Sequence, residues 1–103
     1  MSYGIICAAI QSRNQISFQY IRGGAPGPRL VEPYMIAYNQ KENLSLSAWF
    51  LGGSSESQEG QGWREYLLDG ITNVVVLPYH FTPPRPNYNP SEGKLFHNIQ
   101  CAV

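Results

Sequence analysis

Between residues 15 and 77, short segments with the pattern of β-strands alternate with segments rich in turn-forming residues. In residues 15–22, Ile16, Phe18 and Tyr20 share one face and polar residues occupy the other, which predicts a half-buried strand. Four further strands are predicted at residues 29–38, 44–51, 63–68 and 71–77. Five short strands separated by compact loops are typical of a small barrel, so the predicted fold is mainly β.

Two of these strands carry features that predict their place in the sheet. Pro33 has no amide hydrogen to donate to a neighbouring strand, so an edge, a bulge or a bend is expected there. The last strand contains Val74-Val75-Val76 and is predicted to be buried. Loops are predicted at residues 23–28, 39–43 and 52–62, where Gly, Pro, Ser and Asn are frequent.

The two ends of the chain are predicted to differ. Residues 2–12 have apolar side chains at helical spacing and are expected to form a short helix that lies on the barrel, within a domain of residues 1–81. Prolines prevent regular structure over much of the remainder, which nevertheless contains the apolar residues Tyr88, Leu95, Phe96 and Ile99. Residues 82–103 are therefore predicted to form an irregular Pro-rich extension that packs on the barrel or on a neighbouring subunit.

The charge balance argues against a strongly basic nucleic-acid binder. Lys and Arg number 7, as do Asp and Glu, and the formal net charge is zero. Charged residues are only 14% and aromatic residues 13%, which favours either a binding surface or an aromatic core. The sequence contains no metal-ligand spacing, phosphate loop or nucleophile motif, so neither an enzyme nor a metal or cofactor is expected.

Cys7 and Cys101 lie near opposite ends of the chain. A single pair without CxxC spacing favours two ordinary thiols, with a disulfide that ties the two ends together as the alternative. The sequence has no apolar run of the ~18 residues that a membrane span needs, and its N-terminus lacks the pattern of a signal peptide. The predicted location is the cytoplasm, without membrane association.

The order of motifs along the chain is similar to that of one protein family. The motifs are Arg29-Leu30-Val31-Glu32-Pro33-Tyr34, Trp49-Phe50-Leu51, Trp63-Arg64-Glu65-Tyr66 and Leu67-Leu68-Asp69-Gly70-Ile71. In this order and at this spacing, the chain resembles a stand-alone WYL domain, a family named for a Trp-Tyr-Leu motif. The resemblance covers roughly residues 5–77 and implies an Sm-like or SH3-like small β-barrel.

The resemblance also implies a regulatory role. Members are mostly bacterial, many are fused to winged-helix DNA-binding domains, and several accompany phage-defence systems. They look like sensors of nucleic acid, so the implied ligand here is single-stranded nucleic acid or a nucleotide-like anion. The implied protein partner is a nuclease or a DNA-binding regulator. Two positions depart from the family pattern: Phe50 replaces the tyrosine of the motif, and Gly70 replaces an arginine that is usually assigned to the ligand-binding patch.

Two arginines are candidates for binding an anion. Arg64 matches an arginine of the family pattern, and a guanidinium held on a strand suits bidentate contact with phosphate or carboxylate. Arg29 opens the second predicted strand and is expected to add to the same patch. Arg22 is interpreted as an ordinary solvated charge, and Asp69 as a residue that caps the turn before Gly70.

Three aromatic residues are candidates for stacking on a nucleic-acid base. Tyr20, Tyr34 and Trp49 each offer a flat ring, and such stacking contributes ~1–3 kcal/mol per base. Tyr34 follows Pro33 and is the better candidate for exposure, whereas the pattern around Tyr20 favours core packing. The face on which Trp49 lies stays open.

The alternative function is a structural oligomerisation or protein-interaction module without a nucleic-acid ligand. The zero net charge and Gly70 favour this alternative, and exposed edges of small β-proteins invite pairing. The two hypotheses are compatible, and a homodimer that also binds a ligand is the predicted combination.

Overall fold

The computed structural model describes residues 2–22, 26–53, 60–88 and 96–103, without the side chain of Phe96. Parts of the predicted loops 23–28 and 52–62 lie outside these residues. The elements are α1 (Ser2–Ser12), β1 (Asn14–Tyr20), β2 (Gly27–Asn39), β3 (Leu44–Gly53), β4 (Gly62–Leu67), a 3₁₀ turn (Leu68–Gly70), β5 (Ile71–His80) and β6 (Phe96–Ala102). Within the described residues, no helix is long and apolar enough to cross a membrane.

The strands form one antiparallel sheet in the order β4-β3-β2-β1-β5, and β6 pairs with β2 outside this path. β2 pairs with β3 along one edge. Its other edge is divided, because residues 27–31 pair with β1 and residues 35–39 pair with β6. The mainly β fold with a short N-terminal helix is confirmed. In the described part of the chain no ladder joins β4 to β5, so closure into a barrel stays a prediction.

The change of partner along β2 coincides with an irregularity at Pro33. The register between β2 and β3 shifts between Pro33 and Met35. Proline cannot donate a ladder hydrogen bond, and bulges bend the strand that carries them. The predicted bulge or bend is therefore confirmed, and it separates the half of β2 that pairs with β1 from the half that pairs with β6.

The core lies between α1 and one face of the sheet. Ile6 and Ile10 of α1 are fully buried, as are Ile16, Val31 and Leu46 on three neighbouring strands. Alternate residues of a strand point to opposite faces, so the apolar positions of each strand reach this core together. Complete burial of one such side chain contributes about 1.5–3 kcal/mol relative to exposure.

The structure has a sixth strand where five strands were predicted, because residues 96–102 form β6. The predicted irregular conformation of the tail is therefore wrong for these residues. The prolines that suggested an irregular extension all precede β6. The second half of β2 offers an edge that β1 does not cover, and β6 pairs with it from Phe96 opposite Asn39 to Ala102 opposite Met35. The backbone amide of Val103 then donates to the Tyr34 carbonyl at 3.0 Å. The extension thus packs on its own domain.

β5 is not the buried strand that its valines suggested. The side chains of Val75 and Val76 are 53% and 45% exposed, and Tyr79 is 62% exposed. β5 lies at the end of the strand order, beside β1. An apolar run indicates a strand but does not show how many neighbours cover it, which explains the error.

Cys7 and Cys101 form a disulfide, so the interpretation as two ordinary thiols is wrong. The pairing of β6 with β2 places Cys101 beside α1, and the two Cα atoms are 5.8 Å apart. That separation lies within the range that a disulfide spans. The proximity arises from the unpredicted sixth strand, and the alternative prediction of a disulfide that ties the two ends together is confirmed.

Reduction of this disulfide is expected to lower the free energy of unfolding by about 2–4 kcal/mol. The bond joins positions 94 residues apart and therefore restricts the unfolded chain strongly. Urea unfolding with and without a phosphine reductant measures the change. The double variant Cys7→Ala/Cys101→Ala is the control and should not respond to reductant, whereas an unchanged midpoint for the reduced wild type would contradict the expectation.

Candidate functional site

The five predicted site residues lie on two opposite faces of the sheet. Arg64 is paired with the buried Ala48, so it lies on the core face, while the adjacent pair Trp49 and Trp63 lies on the outer face. One group, the arginine–tyrosine cluster, consists of Tyr20, Arg29, Arg64 and Tyr66. The other group, the aromatic face, consists of Glu32, Tyr34, Trp49 and Trp63. The predicted residues therefore do not form a single site.

Arg29 is held tightly within the arginine–tyrosine cluster. It is 6% exposed, its guanidinium lies 5.5 Å from the centre of the Tyr20 ring, and its Nη1 donates to the Gly27 carbonyl at 3.0 Å. The contact with the ring is a cation–π interaction. Arg29 is thus a fixed charge at the start of β2 and not a solvated one.

Arg64 approaches the same cluster from β4. Its guanidinium lies 5.2 Å from the centre of the Phe50 ring, and it donates to the carbonyls of Trp63 at 3.0 Å and Gly60 at 2.9 Å. Arg64 is half-buried. Backbone carbonyls and an aromatic ring therefore orient this guanidinium.

Tyr66 belongs to the same cluster as the two arginines. Its side chain is almost fully buried, and burial raises the pKa of its hydroxyl to about 12. The nearby charges of Arg29 and Arg64, and a hydrogen bond from Arg29, oppose this rise in the pKa. Both arginines lie on the same core face of the sheet as Tyr66.

Tyr20 packs at the edge of the core, in agreement with the prediction of core packing. Its ring meets the ring of Tyr66 edge to face at 5.0 Å, and its hydroxyl accepts a hydrogen bond from the Leu67 amide at 3.0 Å. The ring is half-buried. Together with Arg29, it forms one wall of the cluster.

Gly70, which replaces the family arginine, is buried beside Tyr20 and Arg22. A Cβ atom at Gly70 would lie 2.9 Å from Tyr20 Cε1 and 2.9 Å from Arg22 Cγ. Arg22 therefore occupies the space where a side chain at this position would begin. Its guanidinium binds both oxygens of Asp69, at 2.7 and 2.9 Å, and this hydrogen bonding raises the pKa of Arg22. Asp69 pairs with Arg22 in place of the predicted turn-capping role.

The aromatic face brings Tyr34 and Trp49 together with Trp63. The ring of Trp63 lies 4.8 Å from Tyr34 and 5.5 Å from Trp49, both edge to face. Tyr34 was the better candidate for exposure, and this prediction is wrong, because its side chain is fully buried. Residues 81–88 cover it, with the rings of Phe81 at 5.2 Å and Tyr88 at 4.9 Å.

Arg85 and Glu32 belong to the same face, and sequence reasoning missed both. Arg85 Nε and Nη2 donate to the two carboxylate oxygens of Glu32, each at 2.8 Å, and the guanidinium lies 5.1 Å from the centre of the Trp49 ring. Glu32 is 3% exposed, and hydrogen bonding to it raises the pKa of Arg85. The residues are 53 positions apart, so no local sequence signal relates them.

Two clefts open on the surface away from the five predicted residues. One, of about 400 Å³, is lined by Ser2, Tyr3, Leu44 and Ile71 among others. The second, of about 620 Å³, includes Arg22 and Lys41. Across the described ranges, no group of three or more His, Cys, Asp or Glu side chains is placed to hold a metal ion.

The fold and these clusters define a small antiparallel β-domain in which strands fix charged and aromatic side chains on both faces. The sequence model of the WYL domain matches residues 3–76, and the chain belongs to that family. WYL domains are regulatory and are often associated with nucleic-acid sensing. No curated protein matches the chain. The matched range includes the whole arginine–tyrosine cluster, whereas Arg85 and β6 lie beyond it.

The Tyr66→Phe variant is expected to lose less stability than the wild type between pH 10 and pH 12. The pKa of Tyr66 in the fold, about 12, lies above its ordinary value of 10.0. The contribution of this hydroxyl to the free energy of unfolding is therefore complete below pH 10 and is lost as the pH rises through 12. Urea unfolding across this range measures the difference. Tyr34 and Tyr88 also have raised pKa values because of burial, so part of the decline should persist in the variant. Identical pH profiles for variant and wild type would contradict the expectation.

Proposed function

We propose that this WYL domain is a regulatory binding module and not an enzyme. Its ligand is single-stranded nucleic acid or a nucleotide-like anion, and ligand occupancy modulates a partner, either a nuclease or a DNA-binding regulator, in transcription or phage defence. The arginine–tyrosine cluster is the binding site. The family supports the regulatory role, and the geometry of this cluster supports the choice of an anion.

The observation that carries the proposal is that Arg29, Arg64 and Tyr66 lie on the same core face of the sheet. The two arginines come from β2 and β4, which the sheet separates by one strand. Each guanidinium is oriented by a backbone carbonyl and an aromatic ring, at Gly27 and Tyr20 for Arg29 and at Gly60 and Phe50 for Arg64. Positioned guanidinium groups bind phosphate with little loss of side-chain freedom, so local geometry compensates for the zero net charge of the chain.

The Arg64→Gln variant is expected to bind labelled single-stranded RNA or DNA roughly tenfold more weakly than the wild type. It should also lower the slope of the logarithm of affinity against the logarithm of salt concentration by about 1, as the loss of one phosphate contact requires. Fluorescence anisotropy titrations at several salt concentrations measure both quantities. Competition with a free nucleotide distinguishes a polymer ligand from a nucleotide.

Arg13→Asn is the matched control for this experiment. Arg13 is an exposed arginine outside the cluster, and its positive φ of 60° is one that asparagine tolerates. The control should retain the affinity and the salt slope of the wild type. If Arg64→Gln and Arg13→Asn weaken binding equally, or if the wild type binds neither polymer nor nucleotide, the assignment of the site is wrong.

The exposed strand β5 favours a second candidate function, self-association. Val75, Val76 and Tyr79 are all about half exposed or more on a strand at the end of the sheet order. Antiparallel pairing of two β5 edges would join two copies around a two-fold axis, which is the commonest symmetry of homo-oligomers. A dimer formed in this way would leave the arginine–tyrosine cluster unchanged.

Val75→Lys is expected to shift a dimer of this kind to the monomer, because a lysine on an exposed edge strand opposes edge pairing. Light scattering after size exclusion would then report 11.6 kDa for the variant and twice that mass for the wild type. Ile5→Lys, at a similarly exposed apolar position on α1, is the control. A monomeric wild type, or a dimer that survives Val75→Lys, would contradict pairing through β5.

The cytoplasmic location stays a prediction. The Cys7–Cys101 disulfide is a feature commoner in oxidising compartments. Alkylation of the protein in freshly lysed cells, with and without reductant, would report the state of the two cysteines in the cell.

A further inference from the structure

The segment of residues 81–88 lies across the aromatic face in the manner of a bound peptide. Its backbone is held at three points: the Phe81 amide donates to the Arg13 carbonyl at 2.9 Å, the Arg85 amide donates to the Tyr34 hydroxyl at 3.0 Å, and the Pro86 carbonyl accepts from Trp63 Nε1 at 2.6 Å. The Tyr88 ring stacks on Trp63 with 5.5 Å between the ring centres. Between Phe81 and Tyr88 the segment includes Pro83-Pro84-Arg85-Pro86 and contains no strand.

The anchor of this segment is the side chain of Arg85. The two oxygens of Glu32 accept from two nitrogens of the same guanidinium, whose central carbon lies over the Trp49 ring at 5.1 Å from the ring centre. A bidentate carboxylate and an aromatic ring match the planar fork of arginine, whereas the single ammonium of lysine reproduces neither geometry. The recognition is therefore specific for a guanidinium.

The residues that contact Arg85 lie on strands of the sheet, whereas Arg85 itself lies on a connecting segment. Glu32 and Tyr34 belong to β2, Trp49 to β3 and Trp63 to β4, which are adjacent strands of one sheet. Arg85 reaches them from the connection between β5 and β6. A buried carboxylate is costly when it is unpaired, so the sheet presents a site that requires a cation. Among the described residues, the buried Trp49 Nε1 and the Tyr88 hydroxyl lack hydrogen-bond partners, so this occupant does not satisfy every polar atom of the contact.

We propose that Glu32, Tyr34, Trp49 and Trp63 form an arginine-recognition site that the chain fills with its own Arg85. A proline-flanked arginine in a partner protein would bind at the same place by displacing residues 81–88. The site takes a cationic peptide on the outer face of the β3–β4 hairpin, whereas the arginine–tyrosine cluster takes an anion on the core face. The two functions are therefore separable by mutation.

Chemical rescue tests the recognition of the guanidinium. Arg85→Ala removes the anchor, and N-ethylguanidinium at millimolar concentration should then raise the thermal unfolding temperature of the full-length variant saturably. Ethylammonium, a cation of similar size without the planar fork, should not do so. The double variant Glu32→Gln/Arg85→Ala and the wild type should show no saturable rise. Equal responses to the two cations, or no response of Arg85→Ala, would overturn the proposal.

Peptide binding tests the displacement. The probe is a fluorescein-labelled peptide of the sequence Thr-Pro-Pro-Arg-Pro-Asn-Tyr, and its control carries citrulline, which has the shape of arginine without the charge. We expect Arg85→Ala to bind the arginine peptide at least about tenfold more tightly than the wild type, because the tethered competitor has lost its anchor. The citrulline peptide should not bind. Arginine and citrulline peptides with equal affinity would overturn the proposal.

If Arg85→Ala does not fold, the wild type can still be used to test the proposal. The wild type can be titrated with both peptides up to millimolar concentration, which is comparable with the effective concentration of a tethered segment. Preferential binding of the arginine peptide supports the site. Absence of such binding shows that residues 81–88 do not exchange with an external peptide and overturns the proposal.

Discussion

The pairing of β2 on both of its edges is the constraint on which the rest of the structure depends. β2 is 13 residues long, and its bulge beside Pro33 lets one edge pair with two different strands in succession. The pairing of β6 with the second half of β2 brings Cys101 to α1, so the disulfide follows from it. The same arrangement makes residues 81–88 span the outer face on their way from β5 to β6. The disulfide and the position of residues 81–88 on the outer face therefore both follow from the pairing of β6 with β2.

The β3–β4 hairpin separates two chemically opposite environments. On the core face lie the guanidinium groups of Arg29 and Arg64, which we propose to bind an anion. On the outer face, the buried carboxylate of Glu32 is neutralised by a guanidinium. A chain with zero net charge thus contains a proposed anion site on one face and a buried carboxylate paired with an arginine on the other. Overall charge therefore says little about the ligand of this domain, because each site is determined by its nearest neighbours.

Individual strands show which parts of the candidate site could be predicted from the sequence. The alternation in β1 correctly placed Ile16, Phe18 and Tyr20 on the core face, where Tyr20 is only partly buried. The neighbouring Pro33 suggested exposure for Tyr34, which a segment distant in sequence covers, and the run of valines suggested burial for Val75, which is 53% exposed on an end strand. Arg29 and Arg64 were expected in one patch and lie on the same face of the sheet, whereas Trp49 faces away from them.

The sequence by itself determined the helix, the first five strands and the membership of the WYL family, because these depend on local periodicity, turn residues and the order of motifs. Only the tertiary structure decided the sixth strand, the disulfide, the burial of Tyr34 and the pair of Glu32 with Arg85. Each of these features joins residues that are distant in the chain. Their proximity is fixed by the pairing of whole strands, and no pattern within a single segment encodes it.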